Sequence, residues 1–187
     1  VFKANDAITS EIDYDRLLVR LLELAVENAG AQRGVLALKA GDAVFIEADS
    51  QRGRVHESLD GSTRCPAQML RYALRSGLAT VLDHGSRRAA FRDEPYFQNR
   101  ATRSVLTCPI MRQAEVRGVV YLENDAVDAA FTHERLEMIR LLMGSAAIAL
   151  ENASLYRARR QHAEDLEQRV RDRTAELEHA NAALARL

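Results

Sequence analysis

From Thr132 to Leu187 the apolar residues keep a helical period, and after Gly144 neither glycine nor proline interrupts it. So long a helix outruns the single core that 187 residues can build, roughly 140 to 150 residues in size. The chain is therefore expected to be one domain with a helical appendage. Leu136, Ile139, Leu142, Met143, Ala146, Ile148 and Leu150 supply the core face of the helix. Between Ala163 and Leu187 the pattern tightens into a heptad, with Ala163, Val170, Leu177 and Leu184 in one register and Leu166, Ala180 and Leu187 in the other. A lone helix would leave this stripe in water, whereas pairing buries it at about 25 cal/mol per Å² of apolar area. A parallel self-paired coiled coil is predicted, with a single solvated helix as the competing reading. Arg173 sits at an inward position and must snorkel outward or pair with Asp172 or Glu176, so it marks a point where the seam loosens.

The rest of the chain reads as a mixture of helices and strands. Residues 14–29 carry Leu17, Leu18, Leu21, Leu22, Ala25 and Val26 at amphipathic spacing, with Asp13 placed to cap the start and Gly30 the end. The preceding residues permit a helical lead-in. Apolar runs at Gly34–Lys39 and Ala43–Ala48 flank a short Gly-Asp turn and predict a hairpin, followed by a third strand at Arg54–Glu57. Pro66–Arg75 is predicted helical and closed by Gly77, and Ala79–Leu82 is a short strand. The stretch HGSRRAAFRDEPYFQNRATR has no steady period and reads as a long loop of the kind that covers a pocket. Ser104–Ile110 and Val116–Asn124 are strongly apolar and predict the central hairpin of a sheet.

Composition excludes several classes of function. With 26 Lys and Arg against 27 Asp and Glu, a net charge of −1 gives no general attraction to nucleic acid or an anionic membrane surface. No uninterrupted apolar run approaches a bilayer span, and the first residues lack the regions of a signal peptide; a cytoplasmic location is expected. Cys65 and Cys108 lie in no metal-ligand pattern and are too few for a disulfide framework, so both are expected to be unbridged and metal-free.

Three stretches carry a family resemblance: ITSEIDYDRLLVRLLELAVENAGAQRGVLAL, SVLTCPIMRQAEVRGVVYLEN and AFTHERLEMIRLLMGSAAIALENASLY. Together they resemble the GAF domains of multi-sensor histidine kinases over nearly all of residues 8–157. The tail LEQRVRDRTAELEHANAALARL is similar to the signalling helix that links such domains to an output domain, with Asp172, Arg173 and Thr174 where that family often has Glu-Arg-Thr. The resemblance implies an α+β fold: a six-stranded antiparallel sheet with helices on both sides, a small-molecule pocket opposite the first and last helices, and a long C-terminal helix. It divides the chain into a lead-in at 1–12, a GAF sensory domain at 13–153 and a signalling helix at 154–187. It further implies a homodimer through the terminal helices and an unidentified small-molecule ligand, while the charge balance above leads to the expectation of no nucleic acid and no membrane as partner.

The chemistry-bearing residues are few. Thr132 reads as a helix N-cap with Glu134 in the first turn, so His133-Glu134 is no phosphoacceptor box; such a box would continue to a proline that is missing here. Phe91, Asp93 and Glu94 lack the Asn-Lys pair of cyclic-nucleotide-binding relatives, and neither cysteine precedes the histidine of a bilin site. The chain shows no haem, bilin or metal signature, and the cofactor remains unknown. Cys108, before Pro109 and with nothing basic adjacent, reads as a small buried hydrophobe, and two separated cysteines do not reproduce the cluster of the sulfoxide-reducing relatives. No catalytic residue is assigned. Strand alternation puts Val116, Gly118, Val120 and Leu122 on one face and Arg117, Val119, Tyr121 and Glu123 on the other. If the second face fronts the pocket, then Tyr96, Phe97, Arg103, Cys108, Tyr121 and Glu123 are the ligand-contact candidates, with edge or salt-bridge roles as the alternative. The expectation is a regulatory sensory and dimerisation module. A ligand-free structural GAF domain and a small redox enzyme using Cys108 are the other readings.

Overall fold

A computed structural model of the chain describes residues 2–83, 91, 93–98 and 100–184, with side chains from 14 to 177. The first helix, α1 (Phe2–Ala29), runs unbroken through the region expected to precede a cap, so Asp13 lies inside it rather than at its start. Its sequence contains neither glycine nor proline to stop it. The strands are β1 (Arg33–Ala40), β2 (Ala43–Asp49), β3 (Gly53–Ser58), β4 (Thr80–Asp83), β5 (Ser104–Arg112) and β6 (Glu115–Asn124). Helix α2 (Ala67–Ser76) follows β3, and α3 (His133–Leu184) closes the chain. All neighbouring strands are antiparallel, in the order β3-β2-β1-β6-β5-β4.

Two cores lie on opposite faces of this sheet. On one, Leu18, Leu22 and Ala25 of α1 and Ile139, Met143 and Ala146 of α3 pack on Leu36, Leu106, Ile110, Val120 and Leu122. On the other, Met69, Leu70 and Ala73 of α2 pack on Val35, Ala37, Ile46, Val105, Val119 and Tyr121. The period of two along β6 divides its side chains between the faces, and each fully buried Leu or Ile adds about 1.5–3 kcal/mol of transfer free energy. Gly34 permits the close seating of α1 on β1, since a Cβ there would lie 2.8 Å from atoms of both Val26 and Leu122.

Local chemistry sets the helix ends. Gly77 takes the left-handed conformation, φ 67°, and its N–H donates to Ala73 O as the C-cap of α2. Pro66 stands at the N-cap of α2, one position before the helix, and the helix extends to Ser76. Thr132 Oγ1 accepts from Arg135 N at 3.3 Å at the start of α3. Within His133–Leu177 one 18-residue stretch has a mean hydropathy of 1.2, long and apolar enough by length and composition to cross a membrane. Arg140 and Glu151 interrupt its apolar residues, and Ile139, Met143, Ala146, Ala147 and Leu150 are buried in the core.

Candidate functional site

Arg33 opens β1, and its two flanking strands each bring a carboxylate to it. The β1–β6 register sets Arg33 opposite Glu123, and the β1–β2 register sets Asp49 opposite Val35. The guanidinium donates from Nη1 to Glu123 Oε1 at 3.2 Å and to the Tyr96 hydroxyl at 2.5 Å, and from Nη2 to Asp49 Oδ2 at 3.0 Å. Tyr96 and Tyr121 in turn donate their hydroxyls to Glu123 Oε2 at 2.7 and 2.6 Å. All five residues are buried. Charges taken out of water persist only when geometry and further hydrogen bonds compensate the desolvation; the bonds above supply that compensation, while Arg33 Nε has no hydrogen-bond partner among the described residues.

The protonation states follow from the same contacts. Burial, reinforced by Glu123, pushes the Tyr96 and Tyr121 hydroxyls well above the usual phenol value, so both remain donors. Burial works against the Arg33 cation, but Tyr96, Asp49 and Glu123 outweigh it and hold its pKa above the ordinary value. Arg100 stands over this network, with its guanidinium 4.4 Å from the Tyr96 ring centroid and Nη1 at 3.5 Å from Glu123 Oε1.

Two adjoining cavities open above it. The smaller, about 250 Å³, is lined by Arg33, Asp49, Gln51, Arg52, Glu57, Thr63, Arg64 and Arg100. The larger, about 570 Å³, is lined by residues 61–63, Cys65, Ala67, Gln68, Arg71, Glu94, Pro95, Tyr96 and Arg100. Thr63 and Arg100 belong to both walls, so the two form one cleft. A 3-10 turn at Pro95–Phe97 carries Tyr96 inward, and Glu94 Oε2 accepts from Gln68 N at 2.9 Å at the start of α2. The long loop expected over a pocket thus contributes Glu94, Pro95, Tyr96 and Arg100, while residues 84–90, 92 and 99 of it lie outside the described residues.

Of the residues singled out from the sequence, Tyr96, Tyr121 and Glu123 meet in this network, with half-buried Phe97 edge-on to Tyr96 at 5.3 Å between ring centroids. Two do not join them. Arg103 is exposed and pairs with Asp128 at 3.2 Å. Cys108 pairs with Val120 on β6 and so points to the α1/α3 face, with the sheet between it and Tyr121. Burial pushes the Cys108 thiol up to about 11 and the Cys65 thiol up to about 12, far from a reactive thiolate. Sequence reasoning did not identify Arg33, Asp49, Arg64 and Arg100. The available signal was a charged residue at each end of an apolar strand pair, Arg33 before GVLAL and Asp49 after AVFIEA.

Beyond the cleft, β6 connects directly to the helix roots. Asn124, next to Glu123, donates to Gly30 O at 3.1 Å and accepts from Ala126 N and Val127 N at 2.9 Å. Ser104 Oγ bonds Val127 O and Ala130 N in the same connection, and Arg135 of α3 donates to Ala130 O at 2.7 Å. Farther along, Arg112 of β5 meets Glu151 of α3 at 2.6 Å.

Residues 13–150 match the family model for the GAF domain. The chain is 28% identical over 157 residues, 77% of its length, to Histidine protein kinase 1 of Candida albicans, of which it covers 6%. It is 23% identical over 164 residues, 83% of its length, to the Peroxide stress-activated histidine kinase mak3 of Schizosaccharomyces pombe, of which it covers 7%. The chain thus spans a small part of these relatives. Among solved structures, the GAF domain/HD domain protein of Geobacter sulfurreducens superposes with a TM-score of 0.58 at 18% identity, covering 76% of this chain and 95% of that one. The GAF-B domain of DevS from Mycobacterium smegmatis gives 0.54 at 19% identity, covering 78% and 98%. The six-stranded sheet with helices on both faces is the fold of these GAF structures, and with the family model matching most of its length, this chain belongs to the GAF domain family.

Proposed function

We propose that this chain is a regulatory sensory and dimerisation module of a cytoplasmic signal-transduction protein of the sensor histidine kinase kind, relaying the state of its cleft or of a neighbouring domain through a parallel coiled coil. Family membership and kinase relatives support the broader sensory signalling role, a GAF domain being a regulatory sensory domain. In this reading residues 1–12 lead into the GAF core at 13–153, and 154–187 form the signalling helix.

The observation that carries the relay is the continuity of α3. It leaves the core without a break and exposes Leu166, Val170 and Leu177 to 47%, 64% and 64% at heptad positions. At 1.5 Å per residue its 52 residues span about 78 Å, far beyond the sheet. Ala163 is exposed on the same register; Ala180, Leu184 and Leu187 lie outside the residues with described side chains. Arg173 is turned to solvent and paired with Glu176 at 3.0 Å. Glu123 in the cleft is the immediate neighbour of Asn124, which ties the end of α1 to the turn leading toward α3. A ligand that altered the partners of Glu123 would therefore act at the roots of both helices.

Sedimentation velocity tests the dimer. The chain should sediment as a dimer at micromolar concentration, and Leu177→Asp should convert it to monomer. A dimer that survives Leu177→Asp would place the seam on α1 and the core part of α3 and sink the coiled-coil relay.

A further inference from the structure

We infer that the cleft over the Arg33 network takes a small organic anion, a carboxylate or phosphate group on an uncharged body; this names the ligand class for the sensory cleft proposed above and rests on that reading. The smaller end of the cleft sets four arginines, Arg33, Arg52, Arg64 and Arg100, against two carboxylates, Asp49 and Glu57. These arginines are not equally committed. Arg33 is held by Asp49 and Glu123, and Arg64 Nε meets Glu57 at 2.5 Å. Among the described residues Arg100 stacks on the Tyr96 ring at 4.4 Å and makes a long, 3.5 Å approach to Glu123, whose carboxylate already accepts from Arg33, Tyr96 and Tyr121. Its side chain is 41% exposed into the cleft mouth.

Arg33 is 7% exposed and its Nε, which has no hydrogen-bond partner among the described residues, is shielded from solvent, so the guanidinium within reach of a ligand is that of Arg100. A guanidinium has five donors and no acceptor, so this exposed group is answered by a ligand that brings acceptors and negative charge. A cation would meet the arginines, and the carboxylates that line the cleft, Asp49, Glu57 and Glu94, are already engaged by Arg33, Arg64 and the Gln68 N–H. Inorganic ions alone would leave the larger end empty: its 570 Å³ has the size for an uncharged body, with Cys65, Ala67, Pro95 and Tyr96 as apolar wall and with Arg71 and Glu94 there already engaged by Asp60 and the Gln68 N–H. An anion held by Arg100 would draw it from Glu123, the residue that precedes Asn124.

Calorimetric titration of the whole chain with benzoate, phenyl phosphate and the neutral benzamide tests this. At least one of the two anions should bind tenfold or more tighter than benzamide, and Arg100→Gln should weaken that anion at least tenfold while leaving the thermal melt unchanged. The stronger of the two identifies the headgroup as carboxylate or phosphate. Benzamide binding as tightly as both anions, or anion affinity unmoved by Arg100→Gln, would overturn the inference and leave the cleft reading intact, because a ligand is still held. If neither anion binds, the inference is overturned; native mass spectrometry of the gently purified chain then judges the cleft itself, with a retained neutral molecule keeping the sensory reading and an empty chain removing it.

Discussion

Replacing Arg33 with methionine, close in length and apolar, removes one buried cation and nothing else of comparable size. The guanidinium bonds to Glu123, Tyr96 and Asp49 disappear, and the Asp49 and Glu123 side chains, each 2% exposed, lose their shared cation. Breaking a buried pair from one side costs about 3–5 kcal/mol, because the remaining charge stays desolvated. Glu123 keeps the Tyr96 and Tyr121 hydroxyls, and Asp49 keeps the Gln51 N–H at 2.9 Å and Arg64 at 3.8 Å. The loss should therefore fall at the lower end, about 3 kcal/mol, which for a domain of this size lowers Tm by about 6–12 °C. Urea unfolding followed by far-ultraviolet circular dichroism measures it, with tyrosine fluorescence as a second probe in a chain that has 0 tryptophans. Adding Asp49→Asn and Glu123→Gln removes the stranded charges while keeping hydrogen-bond acceptors, and should restore at least half of the loss. A single-variant loss under about 1 kcal/mol, or a triple variant no more stable than Arg33→Met, would refute the view that uncompensated charge governs this cluster.

Two further outcomes follow from the backbone and the thiols. The β5–β6 turn holds Gln113 and Ala114 at φ 50° and 65°, conformations costly to residues with a Cβ. Ala114→Gly should accordingly stabilise the fold by about 0.5–1 kcal/mol, seen as a higher urea midpoint at unchanged slope; a lower midpoint would mean the turn is not strained. Burial raises the folded-state pKa of Cys65 from 9.0 to about 12, so the folded chain keeps a proton that the unfolded chain releases. That contribution is complete below pH 9 and is lost as pH climbs toward about 12, so urea midpoints should fall through this window and fall less in Cys65→Ala. A midpoint with the same pH slope in both chains would contradict the assignment.

Much of the architecture was legible because it rests on local rules. The period of two in VRGVVYLEN required one face to carry Val120 and Leu122 and the other Val119 and Tyr121, and the two cores divide them in that way. The absence of helix breakers after Gly144 determined an unbroken last helix, and Thr132 announced its start. With the family resemblance, these patterns were enough for the α+β sheet. Tyr121 and Glu123 could be marked as facing away from Leu122 by alternation alone, but alternation along one strand says nothing about what stands opposite. Cys108 shows the limit: on β5 it looked as eligible for the cleft as Tyr121, and only the pairing Cys108 with Val120 turned it to the other face. Arg33 and Asp49 are 16 residues apart, Arg33 and Glu123 90 apart, and Tyr96 comes in on a turn of an aperiodic loop. Their meeting depends on strand register and on burial that makes a lone charge untenable, and both are properties of the assembled sheet, not of any segment.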